Sequence, residues 1–174
     1  MLDQLAAHLD SIAALAPVWG YALIFLFMAI ESSFIPFPSE VVMIPAGFLA
    51  ARGELTLHVP VADLALACAA GLLGSLAGAY FNYYLSAKLG EPFLRRYGKW
   101  FFLKPEALDR ACEVFNRYGA LTTFVCRLIP VIRQLISIPA GLARMPLGTF
   151  TFFTGLGAGI WTVLLALAGY GLGR

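Results

Sequence analysis

Charged residues are scarce in this sequence: they make up 13% of its 174 residues, whereas hydrophobic residues make up 60%. Soluble domains carry about 25% charged residues. Together with a mean hydropathy of +0.81, this scarcity excludes an ordinary soluble domain and favours a multi-pass membrane protein. At this length we expect one membrane domain over residues 1–174. The net charge of +2 gives no reason to expect a nucleic-acid partner.

Histidine and cysteine are also rare, and none is placed for chemistry. The two histidines, His8 and His58, lie outside the apolar segments, and the three cysteines show no metal or redox spacing. We therefore predict no metal site and no cofactor. Ser39 has no histidine or lysine in an apolar segment to act as its base. The sequence thus indicates a protein that is not an enzyme.

The apolar segments near the N-terminus are too short to be ordinary spans. The run over 18–34 would reach about 26 Å as a helix, whereas the hydrocarbon core is about 30 Å thick. Pro36 and Pro38 then interrupt the chain, and residues 41–51 form a second short apolar leg. Two short legs separated by a break predict a re-entrant hairpin.

The same pattern recurs in the second half. Residues 34–47, "FIPFPSEVVMIPAG", and 128–141, "LIPVIRQLISIPAG", share Ile-Pro, a seven-residue spacer and Ile-Pro-Ala-Gly. Each is followed by a long apolar segment, 61–87 or 149–172, with a GxxxG pattern that favours close helix packing. The predicted hairpin-breaking residues are Pro36, Pro38, Pro45, Gly47, Pro130, Pro139 and Gly141, and the predicted packing glycines are Gly74, Gly78, Gly155 and Gly159. We interpret residues 1–87 and 118–174 as two copies of one unit.

The segment between the copies, residues 88–117, carries seven basic and four acidic residues interleaved with aromatics. The positive-inside rule places it in the cytoplasm. It is either a basic amphipathic helix on the membrane surface or a solvated connector with aromatic anchors. With a cytoplasmic connector the two copies run antiparallel, which gives an all-α inverted repeat of two re-entrant hairpins, each followed by a glycine-faced span. Inverted repeats are a transporter architecture.

Four charged residues lie in or beside the hairpins: Glu31 and Glu40 in the first copy, Arg127 and Arg133 in the second. A charge at the bilayer centre costs roughly 2.5–3.5 kcal/mol, so these groups must pair or line a wet cavity. Arginine binds phosphate with two parallel hydrogen bonds, and burial favours the protonated form of a carboxyl group. The pattern leaves three hypotheses: an anionic-lipid transporter, a proton-coupled exporter of small cations, and a scaffold with structural ion pairs.

The chain resembles the DedA family of bacterial membrane proteins, which are relatives of VTT-domain lipid scramblases. The resemblance rests on "ESSFIPFPSEVVMIPAG", "CRLIPVIRQLISIPAGLARM" and "FTFFTGLGAGIW" followed by "GYGLG". It implies two facing re-entrant hairpins in a multi-pass protein of the bacterial inner membrane. Where many members have Pro-Gly-Asp, this chain has Pro-Ser-Glu at 38–40.

The same resemblance implies a function and a site. It implies proton-linked movement of lipids, with undecaprenyl phosphate as the first candidate and other phosphorylated isoprenoids or phospholipids as alternatives. The family's essential acids map onto Glu31 and Glu40, and its essential arginines onto Arg127 and Arg133. Membrane lipid and protons are therefore the expected partners, and formation of a homo-oligomer is open.

Overall fold

The structure, a computed structural model, describes residues 19–33, 38–97, 105–129, 133 and 135–174. Within these ranges the chain forms helices and no strand, so the all-α prediction is confirmed there. The helices are Trp19–Glu31 (α1), Glu40–Ala51 (α2), Pro60–Tyr97 (α3), Pro105–Tyr118 (α4), Ala120–Arg127 (α5), Ser137–Leu142 (α6) and Leu147–Gly173 (α7).

Two helices are long and apolar enough to cross a membrane: Pro60–Gly90 of α3, with 31 residues, and α7, with 27 residues. At 1.5 Å per residue each exceeds the roughly 30 Å of a hydrocarbon core. Gly90 marks a kink in α3, because its φ of 74° lies outside the helical region. The helices α1 and α2 are apolar but shorter, as the sequence predicted for residues 18–34 and 41–51.

The prolines of the repeated motif play different local parts. Pro38 lies just before α2, but α2 continues through Pro45, so Pro45 does not end a helix. Pro139 lies in the first turn of α6, where the missing N–H has no intrahelical partner to lose. Pro36 and Pro130 fall outside the described residues.

Each Ile-Pro-Ala-Gly segment packs on the long helix of the other half. Gly47 of α2 lies against the Ala166 carbonyl of α7, and Gly141 of α6 lies against the Tyr83 carbonyl of α3. A Cβ built on either glycine would overlap that carbonyl oxygen. The motif's glycine is therefore required by close backbone approach between the two halves.

The two predicted GxxxG pairs differ in their contacts. Gly74 and Gly78 of α3 leave no room for a Cβ, because the carbonyl oxygens of α1 lie directly against them. Gly155 and Gly159 of α7 are only in ordinary van der Waals range of leucine side chains from α3. In α7 the tight position toward α5 is Gly157, which the sequence pattern did not identify.

The two larger apolar clusters of the described residues each combine short helices with both long helices. The first cluster comprises Ile24, Met28, Met43, Ala46, Leu55, Ala67 and Ala166. The second comprises Ala79, Tyr83, Phe115, Cys126, Ile136, Ala140, Met145 and Phe150. Within the part of the chain that the structure describes, each half therefore shares its buried apolar residues with the long helix of the other half.

The predicted connector, 88–117, corresponds to the end of α3 and most of α4. In α4 the aromatic ring of Phe115 is buried, whereas charged residues such as Glu106, Arg110 and Arg117 are exposed. The helix is thus amphipathic, and its buried face joins the second cluster. Four of the seven basic residues of the connector lie in stretches whose side chains are outside the described part of the chain.

Candidate functional site

Glu31 is placed by tight packing of α1 on α3. It is the last residue of α1 and only 2% exposed. The Ser32 hydroxyl donates a hydrogen bond to Glu31 Oε2 at 3.0 Å, and Asn82 of α3 donates to the Ser32 carbonyl at 3.2 Å. The carboxylate is thereby fixed at the point where the first copy's short helix ends.

Arg133 is held by groups from three segments. Its Nη2 donates to Glu31 Oε1, which forms a buried ion pair, and to the Ser39 hydroxyl at 2.7 Å. The Arg133 guanidinium carbon also lies 5.4 Å from the centroid of the Trp161 ring, within cation–π range. Trp161 in turn donates to the Ser39 oxygen at 3.1 Å. Ser39 therefore accepts from both the arginine and the indole.

The contact between Ser39 and Arg133 joins equivalent positions of the two motif copies. They lie 94 residues apart, the same offset that relates Ile44-Pro45-Ala46-Gly47 to Ile138-Pro139-Ala140-Gly141. Each is the third residue of its seven-residue spacer. The two copies thus meet at matching points of their motifs.

Arg127, the last residue of α5, is 3% exposed, and its Nη2 donates to the Ser137 hydroxyl at 2.8 Å. Its side chain lies against Gly157 of α7, where a Cβ would overlap it. No carboxylate of the described residues is within ion-pair distance of Arg127. Burying a guanidinium that has only a neutral partner destabilises the fold. A binding role for Arg127 would explain why this charge is buried.

One small cavity brings the charged residues together. It is lined by Met28, Glu31, Ser32, Ser75, Arg127, Arg133, Ala158, Trp161 and Thr162. With two arginines and one glutamate its formal charge is +1. Three buried polar atoms of these lining residues have no hydrogen-bond partner: Arg127 Nε, Arg133 Nε and Thr162 Oγ1. Buried polar groups are nearly always paired, with protein or with ordered water, so these three atoms are hydrogen-bonding positions that the protein itself leaves free at the cavity wall.

Glu40 stands apart from this cavity. It begins α2, is partly exposed and does not line the cavity. Among the residues that the structure describes, no ion pair joins it to Arg127 or Arg133. Three of the four charged candidates from the sequence are therefore brought together, and the fourth lies next to Ser39.

Sequence reasoning missed several polar residues of the site, among them Ser39, Ser137 and Trp161. A signal existed for Ser39, because it aligns with Arg133 when the two motifs are superimposed. Trp161 lies two residues after Gly159 of the second GxxxG, a position that gives no sign of its contacts with Ser39 and Arg133. The pairing of Ser137 with Arg127 depends on how α5 and α6 approach each other, which motif spacing does not specify.

These features define a class: a helical membrane protein with a buried, net positive cavity built by two copies of one proline-containing motif. The family model of the VTT domain matches residues 34–171. The chain belongs to the VTT-domain, or DedA, family, as its motifs indicated. No solved structure matches the chain at a significant level.

Curated relatives carry diverse names. The chain is 41% identical to uncharacterized membrane protein YkoX of Bacillus subtilis, over 74% of this chain and 54% of YkoX. It is 36% identical to undecaprenyl phosphate transporter A of Staphylococcus aureus, over 87% of this chain and 73% of the relative. An alkaline phosphatase-like protein of Lactococcus lactis is 38% identical, over 89% of this chain and 72% of the relative. This chain thus spans about half the length of YkoX.

Proposed function

We propose that this protein moves an anionic lipid of the phosphate class across a membrane. The observation that carries the proposal is the cavity, where two buried arginines and Thr162 leave three hydrogen-bonding atoms without partners. A phosphate group is rich in acceptor oxygens and carries the matching charge. A small cation is a poorer fit, because the cavity holds two arginines against one carboxylate.

Glu31 occupies the place of the substrate in the resting protein. Its carboxylate binds Arg133, which a phosphate would also bind, so the two anions compete for one guanidinium. When phosphate takes Arg133, Glu31 loses its counter-charge in a buried site and takes up a proton. Lipid binding and proton uptake are then coupled, and by linkage each promotes the other.

Undecaprenyl phosphate is the lipid we propose first. This choice rests on the name of the Staphylococcus aureus relative and on the match between the charge of a terminal phosphate and the donors of the cavity wall. Other phosphorylated isoprenoids and phospholipids share the recognised chemistry. The setting we propose is the bacterial inner membrane, with α3 and α7 as two of several spans.

Lipid flipping in vesicles that contain only this protein tests the proposal. We expect transfer of a phosphorylated isoprenoid between leaflets and no acceleration for the neutral isoprenol of the same chain length. The Arg127→Met variant, which lacks one of the two cavity arginines, should lose this transfer and serves as the negative control. Movement of neither lipid by a protein with a native circular dichroism spectrum would refute the proposal. Proton release driven by small cations would instead support the exporter.

The proton link is tested by adding the phosphorylated isoprenoid to the detergent-solubilised protein near neutral pH in a weakly buffered solution with a pH indicator. We expect uptake in the wild type and its loss in Glu31→Gln. Glu40→Gln is the matched control, because Glu40 does not line the cavity and has no ion pair with either arginine. Equal uptake in the wild type and in Glu31→Gln would show that Glu31 is not the coupling group.

We further propose that the chain is one membrane domain, with 1–87 and 118–174 as repeats of opposite orientation and 88–117 as the cytoplasmic connector. The crossed packing of α2 on α7 and of α6 on α3 supports this arrangement. In a background with the three cysteines replaced, a cysteine at Glu106 should react only from the cytoplasmic side and one at His58 only from outside. Reaction of both from one side would overturn the inverted orientation.

A further inference from the structure

Two threonines of α7 have buried hydroxyls without partners. Thr154 is fully buried and Thr162 is 1% exposed, and neither Oγ1 has a hydrogen-bond partner. Helical threonines commonly bond the carbonyl four residues earlier, and Thr151 of the same helix does so with Leu147 at 2.6 Å. Because buried polar groups are nearly always hydrogen-bonded, the two unpartnered hydroxyls of Thr154 and Thr162 need an explanation.

Their positions relate both to the charged cavity. Thr154, Ala158 and Thr162 follow one another at four-residue intervals, so they lie along one face of α7, with about 12 Å between the two threonines. Ala158 and Thr162 line the cavity. Thr154 is one turn before Ala158, close to Gly157, which contacts the Arg127 side chain. The Thr162 hydroxyl thus lies at the cavity, and the Thr154 hydroxyl lies one helical turn beyond Ala158, outside the cavity.

We infer that Thr162 and Thr154 are two successive hydrogen-bonding positions for the transported oxyanion, an assignment that rests on the proposed transport function. Thr162 donates its hydroxyl to a phosphate oxygen while the arginines hold the charge. Thr154 receives the same group when it leaves the arginines along α7. Thr154, Ala158 and Thr162 are all buried in this conformation (0%, 7% and 1% exposed), so this transfer requires the helices packed on that face of α7 to separate.

The two hydroxyls should therefore separate binding from turnover. Loss of the Thr162 hydroxyl removes a contact of the bound state, and loss of a hydrogen bond to a charged group corresponds to about tenfold weaker binding. Loss of the Thr154 hydroxyl leaves binding nearly unchanged but slows transfer between leaflets by about the same factor. If the two threonines were only structural, their substitution would lower the stability of the protein without affecting binding in one variant and transfer in the other.

The variants are Thr162→Val and Thr154→Val, which keep the branched shape without the hydroxyl, and Thr162→Ser and Thr154→Ser, which keep the hydroxyl. Thr151→Val is the control, because the Thr151 hydroxyl already has partners in Leu147 and Tyr80. Binding is followed by the fluorescence of Trp161, which lines the cavity, with Trp19 and Trp100 replaced by phenylalanine. Transfer is measured in vesicles with a phosphorylated isoprenoid, and inorganic phosphate is titrated separately.

We expect weaker binding in Thr162→Val, slower transfer in Thr154→Val, recovery in both serine variants and neither change in Thr151→Val. Response to inorganic phosphate would assign recognition to the phosphate alone, and response only to the lipid would assign it to the phosphate with its chain. Wild-type values in both valine variants, with the wild type active, would overturn this inference and leave the proposed transport intact. A wild type that neither binds nor transfers the lipid would overturn both.

Discussion

The two halves of the chain carry the same motif but supply opposite chemistry to the cavity. The first half contributes acceptors, the Glu31 carboxylate in the cavity wall and the Ser39 oxygen behind it, whereas the second contributes the donors Arg127, Arg133 and Trp161. Their packing roles, by contrast, are the same, since each motif glycine meets the long helix of the other half. The shared Ile-Pro-Ala-Gly thus sets the packing, and positions at which the two halves differ, inside the spacers (Ser39, Arg133) and outside them (Glu31, Arg127, Trp161), set the chemistry.

The sharpest contrast within the cavity is between its two arginines. Arg133 neutralises Glu31, so Arg133→Met leaves a buried carboxylate unpaired, a loss that costs about 3–5 kcal/mol. Arg127→Met removes a buried charge that has a neutral partner, and we expect a change within about 1 kcal/mol. Both variants should abolish lipid transfer. Equilibrium unfolding in detergent micelles, followed by circular dichroism, measures the difference.

A double variant distinguishes the ion pair from other effects of the Arg133 side chain. Arg133→Met combined with Glu31→Gln removes both charges, and a buried pair replaced together is often close to neutral for stability. We expect most of the lost stability to return while transfer stays absent. If the double variant is as unstable as Arg133→Met alone, the pair is not the source of the loss.

The packing shared by the halves is tested by its glycines. Gly47→Ala and Gly141→Ala each place a methyl group against a backbone carbonyl of the opposite half, and such overpacking costs about 1–3 kcal/mol. Gly148→Ala and Gly171→Ala are matched controls in α7, because a Cβ there meets nothing within 4 Å. A loss from only one of Gly47 and Gly141 would show that the halves are not held in the same way.

Much of this arrangement follows from patterns that sequence can carry. Apolar length predicts the spans, and the repeated motif predicts two equivalent segments. Scarce charges in apolar surroundings predict that Glu31, Arg127 and Arg133 lie together, because isolated charges are costly in a membrane. The sequence contains a further GxxxG pattern at Gly169 and Gly173, which also indicates close helix packing. Both glycines lie against carbonyls of α2.

The rest depends on geometry that spacing alone does not specify. Glu40 lies nine residues after Glu31 in the same copy, yet of these two carboxylates only Glu31 pairs with Arg133, because Glu31 ends α1 whereas Glu40 begins the separate helix α2. Likewise, a proline such as Pro45 can end a helix, or it can remove one backbone hydrogen bond while the helix continues. The packing of α2 on α7 decides between these two outcomes. Which hydroxyls remain unpartnered depends on side-chain packing, so Thr162 carries no sequence signal.

The smallest effect we expect concerns the loop of the second half, which the first half holds in place. Tyr83 of α3 is buried, and its hydroxyl donates to the Met145 carbonyl at 2.5 Å, just before α7 begins. Tyr83→Phe removes this bond and leaves the ring packed against Phe150, which should cost about 0.5–1.5 kcal/mol. The neighbouring Tyr84 is 54% exposed, so Tyr84→Phe should change stability by less than about 0.5 kcal/mol.

Both phenylalanine variants should keep wild-type lipid transfer per folded molecule, since neither tyrosine lines the cavity. Unfolding in micelles gives the stability, and hydrogen exchange of the amides near Met145 reports the loop directly. We expect faster exchange there in Tyr83→Phe only. Equal exchange in the two variants would mean that α6 and the start of α7 hold the loop without help from α3. The Tyr83 hydrogen bond would then add nothing to the contacts between the halves, which would rest on the motif glycines, the apolar clusters and the polar contacts of Arg133.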